Sequence, residues 1–569
     1  MGIHIIVYLL FIHISLLIPG YVVAKQSRLF SKRPGLELCC GYLLTLFFFA
    51  LLATTGYAFD ISLGLLRLVS WLALLGSMAV FVVKQYYYEI WSLRFPLICF
   101  MAITVFSAAF MGLTFNSSYS IQPDPQPQAN RNYHVLNVKV LNVAQTRAND
   151  NYIPYRQAQF MINRSDPAKD SFIGEWGVTF FQRTPLMGAV TATYFNMLHD
   201  KVPIDYTWSV QGADPDHTYL KFQVLAQILN ALFILPAFFL LTKLFSKKIA
   251  AISCLFFISS QFFLYNAFFS WPKSLVAFFI LLSWLLLLEK KIRYTIMAAV
   301  ASGLAYLTHD LAVLYIGASI VLLLLNRRFR ESVIFLGVCS IFALPWLLAS
   351  TVLYHKPSSF ILYPISTDGI PQPEQKQMLI HKFFHTSPLR LVFIRLENFV
   401  YLMSPYQIFT SEGGQNVSQR FWALGLFSIP GSLGIGLMLP AILGAVKRVK
   451  TGAIWILILF PVILETVVIG WPKGLGSLHF AEAIVVLLSG LGVAFLVKLK
   501  NKLWTLLAYA MNCSQTVLFI GYSYKFNVHA WLTHASDILA LLCMAAIIGT
   551  AGWLVYRISH DKKIWIAPA

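Results

Sequence analysis

The side chains best suited to chemistry sit in a polar stretch of this otherwise apolar chain. Residues 148–163 read Ala-Asn-Asp-Asn-Tyr-Ile-Pro-Tyr-Arg-Gln-Ala-Gln-Phe-Met-Ile-Asn. Pro154 suits the first turn of a helix, on which Tyr155, Gln159 and Ile162 would share a side. Asp150 stands just before that turn, with Tyr152 and Arg156 close by. A carboxylate there either caps the helix or turns the chain, or it acts as a general base held at a membrane surface. Partial desolvation and a neighbouring cation would then tune its proton affinity. Further on, Gly174-Glu175-Trp176 precedes Arg183-Thr184-Pro185-Leu186-Met187-Gly188. An arginine near the bilayer surface can hold a lipid phosphate through a bidentate contact, or it can anchor the interface.

Two copies of one short pattern follow, Ser270-Trp271-Pro272-Lys273 and Gly470-Trp471-Pro472-Lys473. Trp favours the membrane interface and Lys snorkels towards it, which accounts for either copy alone. On a side that receives an anionic lipid, Lys273 and Lys473 also become phosphate ligands. Gly303-Leu304-Ala305-Tyr306-Leu307-Thr308 leads into His309-Asp310. Ionisable groups at membrane depth are costly and point to function, although these two can also satisfy one another in a turn. His479 and Glu482 after the second Trp-Pro-Lys, and Glu465 within an apolar run, are candidates of the same kind. There is no zinc-type Cys/His spacing, no phosphate-binding G-x-x-x-x-G-K-[ST] loop and no G-x-S-x-G elbow. Nucleotide-driven transport and ordinary hydrolase chemistry lose support, and spacing leaves open whether a divalent metal assists.

The elements that must position these groups are read from composition. Of 569 residues, 58% are hydrophobic and 12% charged, with mean hydropathy +0.69. Soluble domains carry about 25% charged residues, so a soluble enzyme is excluded. About 20 apolar residues cross a hydrocarbon core of about 30 Å, and fifteen candidate spans emerge: 3–23, 39–57, 64–83, 95–115, 222–243, 249–268, 273–289, 294–308, 310–325, 332–353, 421–446, 452–470, 479–497, 503–522 and 535–556. Those at 273–289, 294–308 and 310–325 are short enough to be tilted or re-entrant. Residues 1–23 read as a span, since no basic segment precedes the apolar run and no small-residue cleavage site follows.

The net charge of +20 would suggest nucleic acid in a soluble protein. Here it sits in alternate loops, the pattern of cytoplasmic retention: Lys25/Arg28/Lys32/Arg33, Lys84/Arg94, Lys243/Lys247/Lys248, Lys290/Lys291/Arg293, Arg327/Arg328/Arg330, Lys447/Arg448/Lys450, Lys498/Lys500/Lys502 and Arg557/Lys562/Lys563. These 24 cations face five acids (Glu37, Glu89, Glu289, Glu331, Asp561), so the segments hold +19 of the +20. The amino terminus is expected outside and the carboxyl terminus in the cytoplasm, with the site chemistry expected on the outer face in two long loops, 116–221 and 354–420. All seven cysteines fall in or beside spans, so no disulfide framework is expected.

Asp150-Asn151-Tyr152, then Gly174-Glu175-Trp176, then Arg183-Thr184-Pro185-Leu186 before the next span, resembles the membrane-embedded GT-C glycosyltransferases, including protein O-mannosyltransferases and lipid A aminoarabinose transferases. Gly303-Leu304-Ala305-Tyr306-Leu307-Thr308 resembles a hairpin of the same proteins. Asn151 stands where a second acid is common, Thr184 replaces a Pro, and three spans precede the one that should open the catalytic module. The resemblance covers roughly 95–350. It implies an all-α polytopic, GT-C-like bundle with extra amino-terminal helices (1–94), a catalytic module (95–353), a second outer loop (354–420) and carboxy-terminal helices (421–569). It implies that a sugar moves from a polyprenyl-phosphate donor to a glycan, lipid or protein acceptor by an inverting single displacement at the outer face of a bacterial inner membrane. Asp150 would be the base, and Arg183, Lys273 and Lys473 the phosphate ligands; Tyr152, Arg156, Glu175, His309, Asp310, His479 and Glu482 complete the candidates. Aromatic side chains such as Tyr354, Tyr363, Tyr401 and Tyr406 offer a sugar or lipid platform. Two rivals remain: an O-antigen ligase or polymerase leaning on Arg390, Arg395, His381 and His385, and a lipid-linked oligosaccharide flippase.

Overall fold

The computed structural model describes residues 2–30, 33–114, 153–167, 180–202, 218–268, 270–355, 359–367, 369, 376–405, 424–425, 428–447, 452–472, 481–527 and 535–560. It is an all-α polytopic membrane protein, without a strand among the described residues. In chain order the helices are α1 (Gly2–Gln26), α2 (Pro34–Ala58), α3 (Leu63–Val83), α4 (Tyr87–Ser92), α5 (Arg94–Thr114), α6 (Ile153–Asn163), α7 (Leu186–Leu198), α8 (Thr218–Ala231), α9 (Ile234–Leu244), α10 (Lys247–Ile258), α11 (Gln261–Phe268), α12 (Lys273–Leu287), α13 (Ile292–Thr308), α14 (Val313–Leu325) and α15 (Phe329–Leu348). They continue with α16 (Lys376–His385), α17 (Pro388–Met403), α18 (Ile429–Ser432), α19 (Ile435–Lys447), α20 (Gly452–Val468), α21 (Glu482–Lys498), α22 (Lys502–Asn527) and α23 (Ala535–His560).

Each of the fifteen expected spans contains helix among the described residues. Among the described residues eight helical segments are long and apolar enough to cross a membrane, and a ninth forms if α10 and α11, bent by 63° at their junction, make one span. The residues Ser259 and Ser260 supply that bend. Ser259 turns its hydroxyl back onto the Leu255 and Phe256 carbonyls, while its own carbonyl accepts from Thr516 Oγ1 at 2.6 Å. The apolar helices α12, Asp310–Leu325, α19 and α20 are shorter.

Burial separates interior from lipid-facing helices. Every residue of α12 is buried, and the best span window in α8 and α9 is wholly so. By contrast α3 and α15 each bury 17% of theirs, and α23 buries 22%. Helices α9, α13 and α21 pack against α12, which places α12 at the centre of the bundle.

The basic loops converge at one end of the bundle. Lys25 pairs with Glu37 at 2.8 Å and also with Glu89, while Arg33 and Lys243 both pair with Glu289. Arg328 donates to the Leu287 carbonyl at 2.8 Å and pairs with Glu331, and Lys248 donates to the Ser559 carbonyl at 3.2 Å. Six of the eight basic segments are thereby tied together, so the acids among them neutralise local repulsion. The alternation read from the sequence therefore corresponds to a shared side.

Candidate functional site

The opposite end of α12 carries the candidate site, and its outermost support is α6. The helix expected at Pro154 is present, but Ile153–Met161 are all buried, Arg156 and Gln157 among them. Close approach to α7 explains this. A Cβ added to Gly188 would lie 2.5 Å from Gln157 Cβ and 3.0 Å from the Pro154 carbonyl oxygen, so only glycine admits α6 at this distance. Tyr155 shares a hydrogen bond of 2.7 Å with Thr218 on α8. Its ring meets Phe195, Tyr219 and Phe222. The Arg156 guanidinium lies 4.9 Å from the Phe160 ring centre.

Gln157 transmits the position of α6 to Arg183. Its amide donates to the carbonyls of Phe180 at 3.0 Å and Arg183 at 2.9 Å, which fixes the bend leading into α7. Next to this bend Phe181 stacks on Tyr354 at 4.2 Å, so Tyr354 packs against the support. The amino-terminal helices brace the same unit: Thr193 donates to the Phe49 carbonyl at 2.8 Å, and Arg67 to the Asn196 carbonyl at 2.8 Å.

Trp271 is the centre around which the cations gather. Lys273 Nζ lies 3.4 Å from its ring centroid and Arg183 Cζ 5.6 Å. Cation–π attraction contributes about 0.5–2 kcal/mol per pair, the larger value when desolvated. Lys273, in the first turn of α12, is buried. The Trp271 backbone is held by Asn230 on α8, whose amide donates to the Trp271 carbonyl at 2.8 Å and whose oxygen accepts from Leu275 N at 3.3 Å. Lys273 and Arg183, 90 residues apart, thus share one indole because α8 fixes the start of α12.

His309 and Asp310, at the turn after α13, join this cluster. The His309 ring runs nearly parallel to the indole, with centroids 6.2 Å apart. Its Nδ1 lies 2.7 Å from Asp310 Oδ1, and both side chains are buried. The Leu311 amide approaches the same nitrogen at 3.3 Å. A carboxylate only accepts, so the shorter contact places a proton on Nδ1. Asp310, Arg183 and Lys273 are all close enough to His309 to interact electrostatically.

A second carboxylate layer comes from α20 and α21. Glu482, at the first position of α21, interacts electrostatically with Lys273 and with Glu465 of α20, and both carboxylates do so with Tyr315 of α14. All three side chains are buried, and Glu482 Oε1 has no hydrogen-bond partner among the described residues. The structure thus brings together Arg183, Lys273, His309, Asp310 and Glu482, with Glu465 beside them. Asp150, Tyr152, Glu175, Lys473, His479 and Tyr406 lie outside the described residues. Among the described residues no three His, Cys, Asp or Glu side chains form a group able to hold a metal ion.

Sequence reasoning missed the supports rather than the charges. Trp271 was expected as an interfacial anchor, and its role as the shared platform has no local signature. Asn230 and Gln157 did carry a signal: each is a buried amide in a helix, and a buried polar group must find partners. Arg395, weighed as a catalytic cation in the ligase reading, spans two segments. Its guanidinium donates to the carbonyls of Val467 at 3.0 Å, Gly470 at 2.8 Å and Pro364 at 2.8 Å.

No family model matches the chain, and no curated protein matches it. Among solved structures it is similar to the archaeal oligosaccharyltransferase AglB from Archaeoglobus fulgidus in complex with an inhibitory peptide and a dolichol-phosphate. That likeness has a TM-score of 0.42 and 14% identity, over 83% of this chain and 56% of the other. It is also similar to the Archaeoglobus fulgidus oligosaccharyltransferase in the apo form, with a TM-score of 0.41 and 13% identity over 83% and 56%. The chain therefore spans little more than half the length of these two.

Proposed function

We propose that this chain is a membrane glycosyltransferase of the GT-C type that takes its sugar from a polyprenyl-phosphate carrier at the face opposite the basic loops. The observation that carries the reading is the pair of cations, Arg183 and Lys273, set on one indole beside a hydrogen-bonded His–Asp pair. Two cations from separate segments suit a phosphate, because charge-assisted contacts to both would stabilise the leaving group. In the reaction, Asp150 takes the proton of an acceptor hydroxyl or amine. The acceptor atom bonds to the anomeric carbon as the sugar–phosphate bond breaks, and the electron pair leaves on the phosphate oxygen. One displacement inverts the anomeric centre. Lys473, Tyr152, Arg156, Glu175 and His479 are the further candidates for lining this site. The acceptor is a glycan, lipid or protein, and the basic loops face the cytoplasm of a bacterial inner membrane.

The ligase or polymerase reading asks Arg390 or Arg395 to meet substrate, but Arg395 is already committed to three carbonyls. The test is transfer by the purified protein in nanodiscs, supplied with polyprenyl-phosphate sugars and candidate acceptors. Asp150→Asn should abolish transfer. Retention of transfer by that variant removes Asp150 as base, and translocation of labelled lipid by wild type without any transfer favours a flippase.

A further inference from the structure

Helix α17 has two faces that demand different surroundings. Successive residues of a helix turn by about 100°, so Leu389, Val392, Phe393, Leu396 and Val400 occupy an arc of roughly 100°. All five are exposed, from 54% to 67%. On the opposite side Ile394, Asn398 and Leu402 are buried. The helix has 16 residues and would rise about 24 Å. It carries Arg390, Arg395 and Glu397, a charge content that argues against a crossing.

The buried side is latched to the end of α20. Besides the three Arg395 contacts, Asn398 Nδ2 donates to the carbonyls of Ile469 at 2.9 Å and Trp471 at 3.0 Å. The Gly470 amide donates to the Tyr363 carbonyl at 3.0 Å, and the Tyr363 ring meets Trp471 edge-on at 5.0 Å. The latch satisfies carbonyls that the end of α20 leaves without intrahelical donors. It also fixes which way the apolar stripe faces.

We infer that α17 is an in-plane interfacial helix whose partner is the lipid of the bilayer that the bundle already spans. An apolar stripe flanked by Arg390, Glu397 and Arg395, with its back latched to the bundle, is the pattern of a helix lying at the headgroup boundary. Continuity identifies lipid as the occupant. Arg395 bonds the carbonyl of Val467, whose side chain is itself exposed, as is that of Ile463 one turn earlier on α20. The lipid-facing surface of α20 therefore runs on to the helix that its end secures. This part of the second long loop rests in the membrane surface and holds the Trp471 segment at a fixed depth.

The test places an environment-sensitive fluorescent amino acid at Phe393 or Leu396, both exposed, in the full chain reconstituted in nanodiscs. Separate samples contain lipids brominated near the headgroup or near the chain ends, and iodide serves as the aqueous quencher. Quenching by the shallow bromolipid at least twice that by the deep one, with weak iodide quenching, is the expected result. Strong iodide quenching would place the stripe in water, and stronger deep quenching would make α17 a crossing. Protection from all three would mean that protein, a second copy included, covers the stripe. Each of these three results overturns the inference, and none depends on glycosyl transfer.

Discussion

Replacing Lys273 by Met keeps an unbranched apolar stem but deletes the ammonium 3.4 Å from the Trp271 centroid. A phosphate oxygen about 4 Å from that ammonium, at an effective dielectric of about 20, would feel about 4 kcal/mol of attraction. After both groups have lost water, the net value of a hydrogen bond to a charged group is about 1.5–3 kcal/mol. The expected loss in kcat/KM is therefore roughly 10- to 150-fold. Negative charge grows on the phosphate oxygen as the sugar bond breaks, so the loss should fall mainly on kcat. Initial rates in proteoliposomes, with donor varied at saturating acceptor, separate the two constants. Lys273→Arg should recover part of the rate. Combined with Arg183→Gln, the Met variant should lose less than the product of the single losses if both cations hold one phosphate. A Lys273→Met enzyme within twofold of wild type, at unchanged Tm, would refute the assignment of Lys273 to the leaving group.

Two further expectations concern the supports. Gly188→Ala puts a methyl 2.5 Å from Gln157 Cβ; forcing α6 from α7 should cost about 1–3 kcal/mol, read as a lower Tm, with slower transfer because Gln157 also holds the Arg183 carbonyl. Arg395→Ala removes three carbonyl contacts and should destabilise by roughly 2–5 kcal/mol. A thermal scan checks it: loss of kcat at unchanged Tm would instead give Arg395 the role that the ligase reading assigns.

Charge was the legible part of this chain, because the cost of placing it in lipid restricts where it can go. The loops bearing Lys25, Arg33, Lys243 and Arg328 could be grouped from alternation alone, and the structure ties them together through Glu37, Glu89, Glu289 and the Leu287 carbonyl. Apolar runs located the helices equally well. They could not separate full crossings from short interior helices, since lipid and protein interior both accept the same side chains. In α6 the spacing gave one side, Tyr155, Gln159 and Ile162, but burial of the other side depends on Gly188 of α7. In the site, Lys273, His309, Asp310 and Glu482 stood out as ionisable groups beside apolar runs. Their gathering on Trp271 depends on Asn230, distant in sequence, and no spacing rule reaches that far.

The shortness of α12 gives this gathering its physical sense. Its carboxyl end is held at the basic side, where Arg328 donates to the Leu287 carbonyl at 2.8 Å. Fifteen residues rise about 22 Å, whereas the hydrocarbon core is about 30 Å thick. Were α12 upright from the basic side, it would stop about 8 Å short of the far boundary, with its first-turn lysine below the level that a full-length span would reach. A cation at that depth is costly unless its surroundings compensate. The Trp271 face and the His309–Asp310 pair supply that compensation within the bundle. A longer α12 would lift Lys273 into the interface, where water would screen it and weaken its hold on a phosphate. The short central helix thus couples the depth of the cation to its electrostatic strength, so that lengthening α12 by a turn should weaken the site even with every side chain retained.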